Sequence, residues 1–332
     1  MARPKKIASL TKADKKTSTM ANKWSRLRRI EFIDFRLCVD GKINRADLVS
    51  FFNISVPQAS LDLSYYRELV EKAKPSRTNL IYDKHLKVYV RADDFIPIFP
   101  NRCSPETFFS DLKMVSTNQL DADRCFFGFT PDVGVASLHN PRRIVSPEIM
   151  CNLIDAMRAH LVLHIVYSSV SSNKKDDYLI APHSFGFNGL RWHVRAYCYD
   201  SHTYKDYVLT RIVSTEKPRT AAPSDRFPDP IGNGFKEIGT GGKDDKDWNE
   251  IVVFKLKANP ALDEGSRRGI EMDYGIEKDG ILEYEVKKAL GFYALRNLMV
   301  AKEFKALPDY ERHLVLINED EVYEKLGLNN KK

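Results

Sequence analysis

Arg191, His193, Arg195 and Tyr197 occupy every second position of "RWHVRAYCY". In a strand they share one face, while Trp192, Val194, Ala196 and Cys198 share the other, which reads as core. Two guanidinium forks, an imidazole and a phenol on one face suit an anion, because arginine presents a planar set of donors that matches phosphate and hydroxyls add neutral donors. A second chemical set lies near the start of the chain. Gln58 in "SVPQASLDLSYYREL" carries an amide with donor and acceptor side by side, the pair that an adenine edge takes in a major groove. Lys84, His85 and Lys87 cluster in "NLIYDKHLKVYV", where they can meet phosphates.

Catalytic signatures are missing from the sequence. It has no glycine-rich phosphate loop, H-E-x-x-H helix, G-x-S-x-G elbow or acidic pair suited to two metals, and "DGKINRADL" lacks the alternating acids and terminal glutamate of a calcium loop. Cys38, Cys103, Cys125, Cys151 and Cys198 are widely spaced and never form C-x-x-C, which fits reduced thiols better than disulfides or zinc. The expectation is a non-enzyme with no metal and no cofactor. An enzyme acting on nucleic acid, with the basic face as its groove, is an alternative that divalent-metal-dependent degradation would reveal.

These residues need elements to hold them. Trp24, Leu27, Ile30, Ile33 and Leu37 recur at helical spacing, and Gly41 supplies a stop. Asn44 caps "RADLVSFF", with Asp47 three residues on. Ser55 then caps a third helix, with Pro57 in its first turn and Gln58 at capping-box spacing. On that helix Val56, Ala59, Leu63, Tyr66 and Val70 make one stripe, while Gln58, Leu61, Ser64 and Tyr65 face away. A short helix, a tight turn, a capped helix and a basic hairpin make a winged helix-turn-helix plan. Its expected DNA contacts are Arg45, Ser55, Pro57, Gln58, Ser60, Leu61, Ser64, Tyr65 and Arg77, with Lys84, His85 and Lys87 on the wing. The competing reading is a three-helix module, or an adaptor, that docks protein.

The period changes downstream. Ser104-Pro105 and Ser146-Pro147 open two helices, with residues 117–145 between them unassigned. From Leu161 four short strands, "LVLHIVYSSV", "YLIAPHSFGF", "RWHVRAYCY" and "KDYVLTRIV", predict a small β-barrel. A stretch rich in Pro, Gly and charge reads as a linker, and the remainder alternates strand and helix as a small α/β sandwich. The expected organisation is α+β and multidomain: a basic disordered arm (1–21), a winged helix-turn-helix (22–100), a helical linker (101–159), the barrel (160–216), a linker loop (217–248) and the α/β extension (249–332). Residues 1–29 hold ten Lys or Arg against Asp14 alone, a basic arm that suits a polyanion, most simply nucleic-acid phosphates, or a solvated tail that aids solubility. No apolar run approaches the ~20 residues needed to span a bilayer, and the N-terminus lacks a secretory core, so a cytosolic protein without membrane contact is expected.

The order of helix-turn-helix, linking helices, "YSS", "APHSFGFNGLRWHVRAYCY" and "YVLTRI" resembles WYL-domain transcriptional regulators. "IEFIDFRLCVDGKINRADLVSFFNISVPQASLDLSYYREL" is similar to the BrxR and CapW branch found beside bacterial phage-defence operons. The resemblance implies a homodimer that binds an inverted-repeat operator in double-stranded DNA, usually to repress a promoter, and works in the cytoplasm at the nucleoid. It further implies an Sm-like barrel sensing a nucleic-acid or nucleotide-like ligand. Matched residue by residue, the ligand positions are Tyr167, Ser168, Ser169, His183, Arg191, His193, Arg195 and Arg211. The family tripeptide falls at Trp192-His193-Val194, so only its tryptophan is kept here.

Overall fold

The computed structural model describes residues 12–121, 124–127, 134–136, 145–170, 175–222, 225, 227–228, 235–236 and 242–329. It divides into two compact units, residues 1–139 and 140–332.

The first unit opens with α1 (Lys12–Asp40). The helix begins twelve residues before Trp24, where the apolar spacing starts, so the second half of the expected arm is helical; no Gly or Pro interrupts Lys12 to Asp40. Residues 1–11 lie outside the described part. A short strand that the sequence reading lacks, β1 (Lys42–Ile43), leads into α2 (Arg45–Phe52). Here the capping box is complete: Asp47 N donates to Asn44 Oδ1 at 2.9 Å and Asn44 N donates to Asp47 Oδ2 at 2.7 Å. α2 ends at Asn53 in the left-handed region (φ 49°), which Asn tolerates better than most residues. Replacing Asn44 with alanine orphans the Asp47 N–H and should cost about 1 kcal/mol. Urea denaturation measures it, and an unchanged midpoint would count against the cap.

The third helix, α3 (Val56–Ala73), buries Ala59, Leu63, Tyr66 and Val70 as its stripe requires. Val56 departs from that pattern and is 52% exposed, because it stands in the first turn, clear of the core. The hairpin follows as β2 (Leu80–Asp83) and β3 (Val88–Arg91), and β1 adds to β3 to make a three-stranded sheet ordered β1-β3-β2. α4 (Pro105–Ser116), capped by Ser104, puts Leu112 and Val115 into the same core as Ile30, Phe32, Ile33, Phe35 and Leu63. Phe126 and Phe127, from the unassigned stretch, join it through edge-to-face ring contacts with Phe32 and Phe35.

The second unit opens with α5 (Pro147–Ala159). Its Ile149, Leu153 and Ala156 pack on the sheet that follows. The two helices expected within 101–159 thus belong to different cores, since each amphipathic face needs its own partner. The sheet comprises β4 (Leu163–Ser168), β5 (Lys175–Phe187), β6 (Trp192–Cys198), β7 (Thr203–Val208) and β8 (Ile212–Thr215), ordered β7-β6-β5-β4-β8 and antiparallel throughout. A 3-10 turn at Leu209–Arg211 splits the fourth expected strand into β7 and β8 and joins the two edges of the sheet. The five strands thus form one sheet, with no β7–β8 ladder among the described residues.

Two-residue strands β9 (Phe227–Pro228) and β10 (Phe235–Lys236) pair with each other, and α6 (Lys246–Asn249) follows. The tail comprises β11 (Ile251–Ala258), α7 (Glu264–Tyr274), β12 (Leu282–Lys287), α8 (Lys288–Asn297), β13 (Leu314–Leu316) and a further helix, α9 (Glu319–Lys325). Its sheet runs β12-β11-β13. Val252, Phe254 and Leu256 of the central strand pack with Ala294, Leu295 and Val322 of the helices. No described helix is long and apolar enough to cross a membrane.

Candidate nucleic-acid interface and anion cavity

In the first unit, a buried polar network sets α3 against the hairpin. Asp34, fully buried on α1, accepts from Tyr66 Oη at 2.6 Å and from Phe99 N at 2.8 Å. Tyr66 Oη in turn accepts from Asn79 Nδ2 at 2.9 Å, just ahead of β2. Burial pushes the Asp34 carboxyl above its usual range, and the bonds from Tyr66 and Phe99 offset part of that rise.

The expected DNA contacts divide on this frame. Arg45 is exposed at the start of α2, and Lys84, His85 and Lys87 are exposed at the hairpin tip. That tip is shaped by Asp83 Oδ1, which accepts from His85 N (2.8 Å) and Leu86 N (2.9 Å), and by Lys87 at φ 56°. On α3, Pro57 and Leu61 are exposed, and Ser60 donates back to Val56 O at 3.1 Å. Ser55 Oγ accepts from Gln58 N at 3.3 Å, yet the Gln58 side chain does not close the expected box. It donates to Asp62 Oδ1 at 3.0 Å, because a charged acceptor makes the stronger bond. Tyr65 lies under the Arg26 guanidinium, 3.8 Å from ring centroid to Cζ, and Ser64 receives Arg67 at 3.5 Å. Arg77 is spent internally on Asn79 Oδ1 (3.0 Å) and on Ile96 O. Arg26 and Arg67 were missed as candidates; their signal is position, one just ahead of the first core turn of α1 and one a turn beyond Ser64 on α3.

In the second unit, β6 is buried on both faces except at Trp192. That tryptophan, expected in the core, is 55% exposed and pairs with Phe187 across the ladder at 5.0 Å, since both flank the β5–β6 turn at the end of the hairpin. The basic face is covered by the same chain. Arg195, 5% exposed, donates to Asp245 Oδ2 through Nε (2.7 Å) and to Oδ1 through Nη2 (3.1 Å), with Asp206 at 3.5 Å. His183 Nε2 lies 3.1 Å from Asp245 Oδ2, and its Nδ1 lies 3.0 Å from Ser184 Oγ. Asp245 is also the cap of α6, accepting from Trp248 N at 3.1 Å. Burial alone would raise the Asp245 carboxyl, but the bonds from His183 and Arg195 outweigh it and hold the pKa well below the usual range.

Gly242 makes this approach possible. It has φ +75°, and a Cβ there would stand 2.6 Å from His183 Nδ1. The end of the expected linker loop, from Gly242 on, therefore packs against β5 and β6. His183 and Arg195 both bond Asp245 here, and Arg195 also lines a second cavity with Lys288 and Tyr293.

Arg191, His193 and Arg211 do converge. With Asn188, Leu190 and Val208 they line a cavity of about 350 Å³ whose other wall is Phe292, Tyr293, Arg296 and Asn297 of α8. Asn297 Nδ2 donates to Asn188 O at 2.6 Å, fixing α8 to the β5–β6 turn, and Arg296 reaches Glu303 at 3.2 Å at the surface. His193 is buried with its ring 5.2 Å from that of Tyr293, and neither ring nitrogen has a hydrogen-bond partner; Arg191 Nε is likewise buried and unpartnered. Buried polar groups ordinarily have hydrogen-bond partners, and these have none among the described residues. Burial, followed by the charges of Arg191 and Arg211, lowers the His193 pKa to about 4, so the imidazole is neutral near pH 7.

Tyr167 lies in the core instead, accepting from Val208 N at 3.2 Å, and neither it nor Ser168 or Ser169 lines the cavity. The α8 wall escaped the sequence reading, although Phe292, Tyr293, Arg296 and Asn297 fall at i, i+1, i+4 and i+5 on the helix side opposite Ala294 and Leu295.

Comparison with known proteins agrees with this division. Residues 25–109 match the model of the BrxR transcriptional regulator winged helix-turn-helix domain, residues 148–217 that of the WYL domain, and residues 251–322 that of the BrxR transcriptional regulator C-terminal dimerization domain. The DNA-binding transcriptional repressor CapW of Stenotrophomonas maltophilia is 33% identical over 302 residues, 90% of this chain and 92% of that one. The repressor of the same name from Escherichia coli (strain KTE188) is 33% identical over 312 residues, 94% of this chain and 95% of that one. The Pseudomonas aeruginosa repressor is 31% identical over 300 residues, 90% of this chain and 91% of that one.

Proposed function

Because the chain belongs to the BrxR and CapW family of transcriptional repressors, we propose that it is a homodimeric DNA-binding repressor in which α3 reads a major groove and the β2–β3 wing holds phosphates. The observation that carries this reading is the capped α2–turn–α3 unit beside a hairpin tip that exposes Lys84, His85 and Lys87. Dimerisation is supported by the match of residues 251–322 to a dimerization domain, and a two-fold dimer suits an inverted-repeat operator. The family resemblance supports a phage-defence operon as the target and the bacterial nucleoid as the place of work.

The cavity between β6 and α8 takes a phosphate-bearing ligand, a nucleotide or a nucleic-acid segment, with Arg191, Arg211 and Arg296 supplying charge and Tyr293 a ring to stack on. Such a ligand changes operator affinity only through its differential affinity for the states that bind DNA and those that do not.

Purified protein should shift a palindrome from the promoter upstream of its own operon at lower concentration than scrambled DNA of the same length. Equal affinity for both at moderate salt defeats the proposal. Converting Lys84 and Lys87 to Glu should lower affinity about 10- to 100-fold near 0.1 M salt and reduce the slope of log affinity against log salt by about 2, if each lysine neutralises one phosphate. A protein-docking module would show neither change.

A further inference from the structure

We infer that Asp62 is a positioning residue for sequence reading: it fixes the orientation of the Gln58 amide, so that α3 presents one defined hydrogen-bonding edge to a base. The inference rests on α3 being the groove-reading helix. Asp62 is fully buried one turn beyond Gln58 on the same helix. Its Oδ2 accepts from Arg29 Nε at 2.6 Å, its Oδ1 accepts from Arg29 Nη2 at 3.3 Å, and Arg26 Nε stands 3.7 Å away. Two guanidinium groups face this buried carboxylate, whose oxygens serve as acceptors.

That chemistry decides which way the amide turns. At 3.0 Å from Asp62 Oδ1, Gln58 must direct its nitrogen, not its oxygen, toward the carboxylate. One N–H is spent on Asp62. The carbonyl oxygen and the second N–H remain, and these are the acceptor and donor that the N6 and N7 edge of adenine takes. A free glutamine would present either end and lose rotamer freedom on binding; a tethered one has already lost it. Gln58 also lies in the first turn of α3, the part of such a helix that contacts base edges.

The test selects bound duplexes from a random pool with the full-length protein and its variants, then sequences them. The unchanged protein should prefer adenine by about tenfold at one position per half-site. Gln58→Ala should abolish that preference and leave the other positions alone. Asp62→Asn should weaken the same position selectively, and Asp62→Asn combined with Gln58→Ala should match Gln58→Ala by itself. If Asp62→Asn weakens every position equally, or leaves the adenine preference intact, the inference is overturned. If Gln58→Ala alters no position, the groove-reading role of α3 fails instead.

A second measurement needs no substitution at Asp62. The chain has only two glutamines, Gln58 and Gln119, so glutamine-selective 15N labelling gives two side-chain amide pairs. The pair removed by Gln58→Ala should show one proton exchanging at least tenfold more slowly than its geminal partner. Equal, fast exchange of both protons would refute the tether.

Discussion

Replacing Arg195 with alanine should destabilise the second unit by about 3–5 kcal/mol, the cost of leaving a buried partner charge uncompensated. Asp245 is 1% exposed, and Asp206 lies beside the same guanidinium, so the variant strands two carboxylates around a cavity. The nearby Asp247, at 3.8 Å and half exposed, provides the contrast. Its pair with Arg195 is screened by water, and Asp247→Ala should cost less than about 1 kcal/mol. Trp248, with its ring 5.8 Å from His183, reports on the region, so urea denaturation followed by tryptophan fluorescence suits the measurement. A cost for Arg195→Ala within 1 kcal/mol would show that the pair does not hold the docked segment. A double variant, Arg195→Met with Asp245→Asn, should lose less than the two single variants summed, since each removes the partner whose absence penalises the other.

Acidification should destabilise the same unit through His193. Its folded pKa of about 4 lies below the ordinary 6.5, so between those values the unfolded chain binds more protons than the folded one. Stability is therefore full above about pH 6.5 and falls as pH drops toward 4, by about 3 kcal/mol at the lower end. Carboxylates titrate over the lower part of this range too, so the informative quantity is the difference between the unchanged protein and His193→Gln. The variant should show a flatter decline between pH 6.5 and 4.5; identical slopes would defeat the prediction. An anion bound in the cavity, as proposed, would face the same imidazole. Inorganic phosphate at high concentration should therefore protect the unchanged protein more at pH 5 than at pH 7, because bound negative charge favours the imidazolium.

Several features could be read from the chain because they depend on neighbours within a few residues. The caps at Asn44, Ser55 and Ser104 follow from side chains that reach their own backbone. Helical spacing placed Ala59, Leu63, Tyr66 and Val70 in the core, and two-residue alternation placed Arg191, His193 and Arg195 on one face of β6. Period reports direction, however, and not what lies in that direction. α4 and α5 looked alike from their Ser-Pro starts, yet they pack into different cores.

The basic face shows the same limit most clearly. Sequence alone determined that three nitrogen-bearing side chains share one side of a strand. Only the tertiary structure decided that Arg195 is held by Asp245, fifty residues further on, while Arg191 and His193 look into a cavity closed by α8 about a hundred residues away. Alternation along a strand is fixed by local backbone geometry. Which acid neutralises a given arginine is fixed by where separate elements dock, and that depends on the packing of whole cores rather than on the residues beside it.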